Sequence, residues 1–244
     1  MVVIVSRRVY HGLICGAVLL ALLLLWRSPA IRKVISKPGR VMVMIDPGHG
    51  GVDGGCQGGS MQEKNVNLRI ALALKDWLKQ AGIPAGLTRD GDYPLEPFGR
   101  PGRHRRDLTK RVRLIEDSGA VVFISIHCDW SSDSSRYGPA VFYHPNNEAS
   151  RCLAQAVQHQ LNQLAGITRR EAPGDYFILR TARVPGILVE AGFLSNPAER
   201  LRLQDQRYFA AIAGAIGRGI ITYLQPTLPK STAVAFGHPK QRGE

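Results

Sequence analysis

The chain has 244 residues, 44% of them apolar and 21% charged, a composition that supports one full core and excludes a disordered, collagen-like or disulfide-framework protein. The formal charge is +13, from 32 Lys and Arg against 19 Asp and Glu, which invites a nucleic-acid reading. Its distribution argues otherwise: residues 1–40 hold seven basic residues and no acid, residues 100–113 hold seven more against Asp107, and the rest of the body is slightly acidic.

Residues 9–26 form an uncharged, Leu-rich run flanked by Arg7, Arg8 and Arg27. A helix of that length reaches about 27 Å, close to the hydrocarbon thickness of a bilayer. Residues 1–26 therefore read as a membrane anchor or signal segment, with the length favouring an uncleaved anchor and Ser28-Pro29-Ala30 making a poor cleavage site. Residues 27–40 read as a basic stalk, residues 41–224 as one folded domain, and residues 225–244 as a disordered tail. Cys15, Cys56, Cys128 and Cys152 form no C-x-x-C pair, so no disulfide framework is indicated.

Within the domain, residues 41–45 read as a buried strand running into Asp46-Pro47-Gly48, and a Gly-rich loop follows to about Ser60. Apolar residues at helical spacing predict a helix over 65–80. A strand is predicted over 83–88, then a long loop through Arg106, a helix over 108–118, and the central strand over 120–126. A weaker strand over 139–143 precedes a helix over 147–164. Tyr176 to Leu179 and Ile187 to Glu190 read as short strands, and residues 208–224 as the closing helix. Strands alternating with helices predict an α/β domain, with a mostly parallel central sheet and helices on both faces.

In such sheets ligands collect at the carboxyl ends of the strands. His49 follows the first strand, His127 ends the central one, Glu190 ends a late one, and Glu63 stands at the start of the first long helix. Two imidazoles and a carboxylate are a standard three-ligand set for catalytic zinc, and a carboxylate off the metal can serve as base. From spacing alone, histidines that are merely hydrogen-bonded remain the alternative. Asp46 is a candidate partner for His49 or simply a turn former before Pro-Gly. His104, His144 and His159 read as surface residues.

At these residues the chain resembles the zinc-dependent N-acetylmuramoyl-L-alanine amidases. The motifs are Ile45-Asp46-Pro47-Gly48-His49-Gly50-Gly51, Glu63-Lys64-Asn65-Val66-Asn67-Leu68, Leu87-Thr88-Arg89-Asp90, Phe123-Ile124-Ser125-Ile126-His127 and Leu188-Val189-Glu190-Ala191-Gly192-Phe193-Leu194-Ser195-Asn196. Their order and spacing match the family over about residues 41–224. The resemblance implies Zn2+ held by His49, Glu63 and His127, with Glu190 as the catalytic carboxylate and peptidoglycan glycan strands with their stem peptides as substrate. Substrate contacts are expected at Gly50, Gly51, Asp129 and Arg111, with a solvated helix face as the alternative for Arg111. Gly50, Gly51, Gly54 and Gly55 would let backbone pass close to a glycan.

The segment from Gly138 to Glu148, the Arg-rich run and Tyr176 to Leu179 are most similar to the germination-specific, spore-cortex branch. That branch implies cortex maturation through muramic-δ-lactam and export to the extracytoplasmic face of the membrane or the space around the forespore. It leaves room for an activating lipoprotein partner, and no nucleic acid is expected. One departure stands out: the family's His-x-Asn is His127-Cys128-Asp129 here. It keeps a second reading open, an inactive or partner-dependent peptidoglycan-binding or regulatory protein on the same fold. Cys128 reads as a buried structural residue rather than a soft metal ligand or a nucleophile, since neighbours on a strand face opposite ways.

Overall fold

Three apolar strands form the middle of the sheet: β1 (Val43–Pro47), β5 (Val122–Asp129) and β8 (Gly186–Phe193). Every residue of β1 and β8 is buried, as expected of parallel strands covered on both faces. The computed structural model describes residues 42–225 apart from 98 and 100. The expected anchor, the stalk and the tail beyond residue 225 lie outside the described residues.

Between β1 and β5 run a two-residue hairpin, β2 (Gln57–Gly58) and β3 (Met61–Gln62), then α1 (Glu63–Gln80), β4 (Ala85–Leu87) and α2 (Arg103–Asp117). After β5 come β6 (Ala140–Tyr143), α3 (Glu148–Ala165), β7 (Ala172–Pro173) and α4 (Phe177–Thr181); α5 (Pro197–Arg202) and α6 (Gln206–Leu224) follow β8. The main sheet has the order β4-β1-β5-β8-β6-β7, with β4, β1, β5 and β8 parallel and β6 antiparallel to β8. The α/β architecture is as the sequence predicts, with two reversed strands, since β7 runs parallel to β6 at the sheet edge.

Strand alternation divides the core in two. Ile45, Ile124, Ile126, Cys128, Val189 and Ala191 face the larger cluster, built on Val66, Ile70 and Leu74 of α1, Leu153 and Val157 of α3, and Ile212, Ile216 and Ile220 of α6. Met44, Phe123 and Leu188 face the smaller one, built on Val112 and Ile115 of α2 and Ile178 and Leu179 of α4. Asp46, Ser125, His127 and Glu190 share the parity of this second set, so the polar residues of three strands reach the same face near their carboxyl ends.

Two predicted elements differ. Tyr176 to Leu179, an aromatic and β-branched run that reads as a strand, is mostly the short helix α4, which caps the smaller core with Ile178 and Leu179. The helix predicted from residue 108 begins at Arg103, so Arg103, Arg105 and Arg106 are helical rather than in a loop. Its start carries no signal: Gly102 makes no side-chain cap, and the first turn has no acid.

Packing of α6 against its neighbours depends on glycine. A Cβ at Gly219 would lie 2.6 Å from Val157 Cα, whereas one at Gly214 would meet only side-chain atoms of Arg218 and Trp77, at 3.3 Å and beyond. Gly219→Ala is expected to cost about 1–3 kcal/mol by overpacking, and Gly214→Ala to be neutral or stabilising by up to about 1 kcal/mol. Urea unfolding of the two variants, read by circular dichroism, measures the contrast.

Candidate metal centre

The chain leaves β1 at Pro47, and Gly48 donates its N–H to the Ile126 carbonyl at 2.9 Å, keeping the loop against β5. A Cβ at Gly48 would lie 2.2–2.6 Å from three atoms of the His127 ring, so only glycine lets the two strand ends bring their imidazoles together. The His49 and His127 rings meet edge to face with centroids 5.1 Å apart. His49 itself is the one non-glycine residue with positive φ, +62°, among those described.

Glu63, the first residue of α1, joins the two histidines. Its Oε2 lies 3.1 Å from His49 Nε2 and its Oε1 lies 2.9 Å from His127 Nδ1. Backbone N–H groups of Cys56 and Cys128 donate to Oε2 and Oε1 at 2.9 and 3.2 Å, and Asn67 Nδ2 donates to Oε1 at 3.1 Å. Burial alone would raise this carboxyl, but the hydrogen bonds and charges of His127 and His49 hold it well below the usual carboxylate range.

The donor atoms of His49, Glu63 and His127 all lie within 4.8 Å of one another, and their two-nitrogen, one-oxygen set suits a divalent transition metal. Glu190 pairs in register with His127 across the parallel β5–β8 ladder, which places it on the same face. Its Oε2 is buried without a hydrogen-bond partner among the described residues. Burial first, then the charges of Glu63 and Asp129, push the Glu190 carboxyl well above its usual range. A buried acid left unmatched beside a ligand triad is what a site built around a cation requires.

Other expected contacts fall differently. Asp46 is not the partner of His49; it accepts from Thr88, Ser125 and Arg111 at 2.6–2.8 Å inside the fold. That partner is Asp53, whose Oδ1 lies 2.9 Å from His49 Nδ1 and which pairs with Gly50 through both backbone hydrogen bonds. Asp53 is legible in retrospect as a carboxylate four residues beyond a histidine, across two glycines. Arg111 does not lie on a solvated face: it is 2% exposed, and its guanidinium is spent on Asp46, Asp107 and two backbone carbonyls. Gly50 and Gly51 pack against protein, since a Cβ would meet Tyr93 and Arg89 at Gly50 and Pro94 at Gly51. Gly55 lies against Glu63 and His49, leaving Gly54 the most open of the four. Asp129 is half-buried at the end of β5, where Oδ1 accepts from the Trp130 N–H. Cys128 is buried, and Cys56 Sγ donates to its carbonyl at 3.4 Å. His104 is exposed on the rim, its Nδ1 4.0 Å from Asp53.

With this geometry established, the comparisons with known proteins agree on one family. The sequence pattern of the N-acetylmuramoyl-L-alanine amidases matches residues 43–222. The chain is 36% identical over 203 residues to the germination-specific N-acetylmuramoyl-L-alanine amidase of Bacillus subtilis (strain 168), covering 81% of this chain and 82% of that relative. The CwlD amidase of Clostridioides difficile, solved in complex with the GerS lipoprotein, superposes with a TM-score of 0.73 at 32% identity, over 76% of this chain and 99% of that one. The amidase AmiC2 of Nostoc punctiforme gives a TM-score of 0.67 at 34% identity, over 78% of this chain and 99% of that one.

Two outcomes follow from the geometry. Burial would lower the His49 imidazole, but hydrogen bonds and charges from Asp53 and Glu63 outweigh it and raise the pKa to about 9. Metal-free His49 is thus protonated at neutral pH, and a cation taking Nε2 displaces that proton. Affinity for Co2+, followed by its visible spectrum, is expected to rise about tenfold per pH unit from about pH 7 and to level off above about pH 9. Equal affinity across that range would contradict the assignment. Gly48→Ala, by displacing the His127 ring, is expected to weaken Co2+ binding at least tenfold with the far-ultraviolet spectrum retained.

Proposed function

Because the chain belongs to the N-acetylmuramoyl-L-alanine amidase family, we propose that it is a zinc enzyme cutting the amide between N-acetylmuramic acid and L-alanine of the stem peptide, with His49, Glu63 and His127 holding the metal. The observation that carries this reading is the buried, unpartnered Glu190 Oε2 in register with a two-histidine, one-carboxylate triad. Zinc, when bound, supplies a Lewis acid that polarises the amide carbonyl and acidifies a coordinated water, to a pKa of about 7 in favourable sites.

The protein's own groups supply the rest. Glu190 takes the proton of the attacking water and delivers it to the departing L-alanine nitrogen, so that the amine leaves neutral. Burial and neighbouring acids make it a stronger base than a solvated carboxylate, and a cation at the triad opposes that shift, returning it toward the working range. Asp53 fixes the His49 ring through Nδ1 and leaves Nε2 for the metal. Asp129 stands at the end of the same strand as His127 and is the proposed polar contact for substrate on that side.

The reading extends to the cell. Relatives carrying the germination-specific and CwlD names support work on spore cortex, where removing stem peptides precedes formation of muramic-δ-lactam. Action outside the cytoplasmic membrane is proposed, with residues 1–26 as the anchor or signal. A lipoprotein partner belongs to the same reading, as the CwlD neighbour was solved with GerS.

Incubating the chain with peptidoglycan and Zn2+ is expected to release new L-alanine N-termini, measured by amine labelling, and a chelator is expected to abolish release. Glu190→Gln should retain stoichiometric zinc and lose about 10²–10⁴-fold in turnover. His127→Ala should lose zinc and turnover together. No release by the zinc-loaded chain, with or without a lipoprotein partner, would overturn the proposal.

A further inference from the structure

Three successive carbonyls, those of Pro47, Gly48 and His49, carry the chain from β1 into the metal loop, and each accepts from a buried guanidinium. Arg111 donates from Nη1 to Pro47 at 2.7 Å and from Nη2 to His49 at 2.6 Å. Arg89 donates from Nε to Pro47 at 3.0 Å and from Nη2 to Gly48 at 2.8 Å, and the same nitrogen reaches the Lys64 carbonyl, beside Glu63, at 2.9 Å. Both side chains are almost wholly inaccessible, at 1% for Arg89 and 2% for Arg111.

Their surroundings indicate what these cations are for. Arg111 is matched by Asp46 and Asp107 at 2.7 and 2.8 Å, and Asp46 is itself held by Thr88 and Ser125. Among the described residues Arg89 makes four hydrogen bonds, all to backbone carbonyls and none to a carboxylate. Burying two cations a few residues from a site for a dication is electrostatically adverse. The fold accepts it where the loop takes a conformation that a non-glycine residue resists, with His49 at φ +62°. A planar fork can hold two carbonyls at a fixed mutual angle, which a lysine point charge cannot.

We propose that Arg89 and Arg111 are positioning residues that clamp the Pro47–Gly48–His49 carbonyls, hold His49 in its left-handed conformation and thereby aim its Nε2 at Glu63. The clamp rests on the reading of His49 as a metal ligand, but its effect on the loop is independent of metal. The Gly50–Asp53 turn, closed by Gly50 N–H to Asp53 O at 2.9 Å and Asp53 N–H to Gly50 O at 3.2 Å, reports it directly.

The experiment compares Arg89→Lys and Arg111→Lys with the unmodified chain and with Gly219→Ala, a packing variant remote from the loop. Zinc affinity is measured by chelator competition, and amide exchange at Gly50 and Asp53 is measured on metal-free protein. Each lysine variant is expected to bind zinc about 10–100-fold more weakly and to lose protection at both amides, whereas Gly219→Ala is less stable but keeps both properties. If one lysine variant fails to fold, the other carries the comparison. Unchanged zinc affinity and unchanged exchange in a folded lysine variant would overturn the clamp. Should the unmodified chain bind no zinc, the metal reading fails, and the exchange data alone decide whether the clamp exists.

Discussion

Five contacts converge on the two oxygens of Glu63, and the site depends on them. The carboxylate begins α1, where the helix dipole favours negative charge, and it ties together the Gly-rich loop, the β1 exit and the end of β5. Without a fixed anion at that point, two imidazoles brought within 5.1 Å of each other would share no partner. The helix places the acid, the acid sets the spacing of the histidines, and that spacing defines where a cation can sit. Glu190 then matters through register alone, as the residue opposite His127 in the neighbouring strand.

The sequence shows residues with a chemical vocation more clearly than residues with a mechanical one. His49, Glu63, His127 and Glu190 are legible because their types are few and their positions fall at strand ends or a helix start. Asp53 and Asp46 cannot be told apart in that way, because both flank His49 and only the turn at Gly50 and Gly51 decides which carboxylate folds back toward the ring. Arg111 carries the opposite lesson. In a run of basic residues it reads as solvated, yet the helix period that buries Val112 and Ile115 turns Arg111 inward as well. Elements fare likewise: the long amphipathic helices are plain, while α4 is too short for its pattern to separate helix from strand.

Charge in this molecule is therefore sorted by task. Buried Arg89 and Arg111 address backbone carbonyls, buried Glu63 addresses imidazoles, buried Asp46 addresses a guanidinium, and the remaining basic residues of α2 are mostly at its outer surface. The +13 of the whole chain says little about the candidate metal centre, whose nearest charged side chains include Glu63, Asp53, Asp129 and Glu190.

Cys56 and Cys128 hold Glu63 through their peptide N–H groups, and the Cys56 thiol stands beside the same carboxylate, which adds to burial in pushing that thiol up. Cys128 Sγ faces the large core, on the other side of the sheet from His127. At Cys128 the site therefore uses only backbone atoms, which every residue except proline possesses. Side-chain identity at Cys128 answers to packing, which separates its thiol from the face that carries His127 while the anion held by its N–H stays where it is.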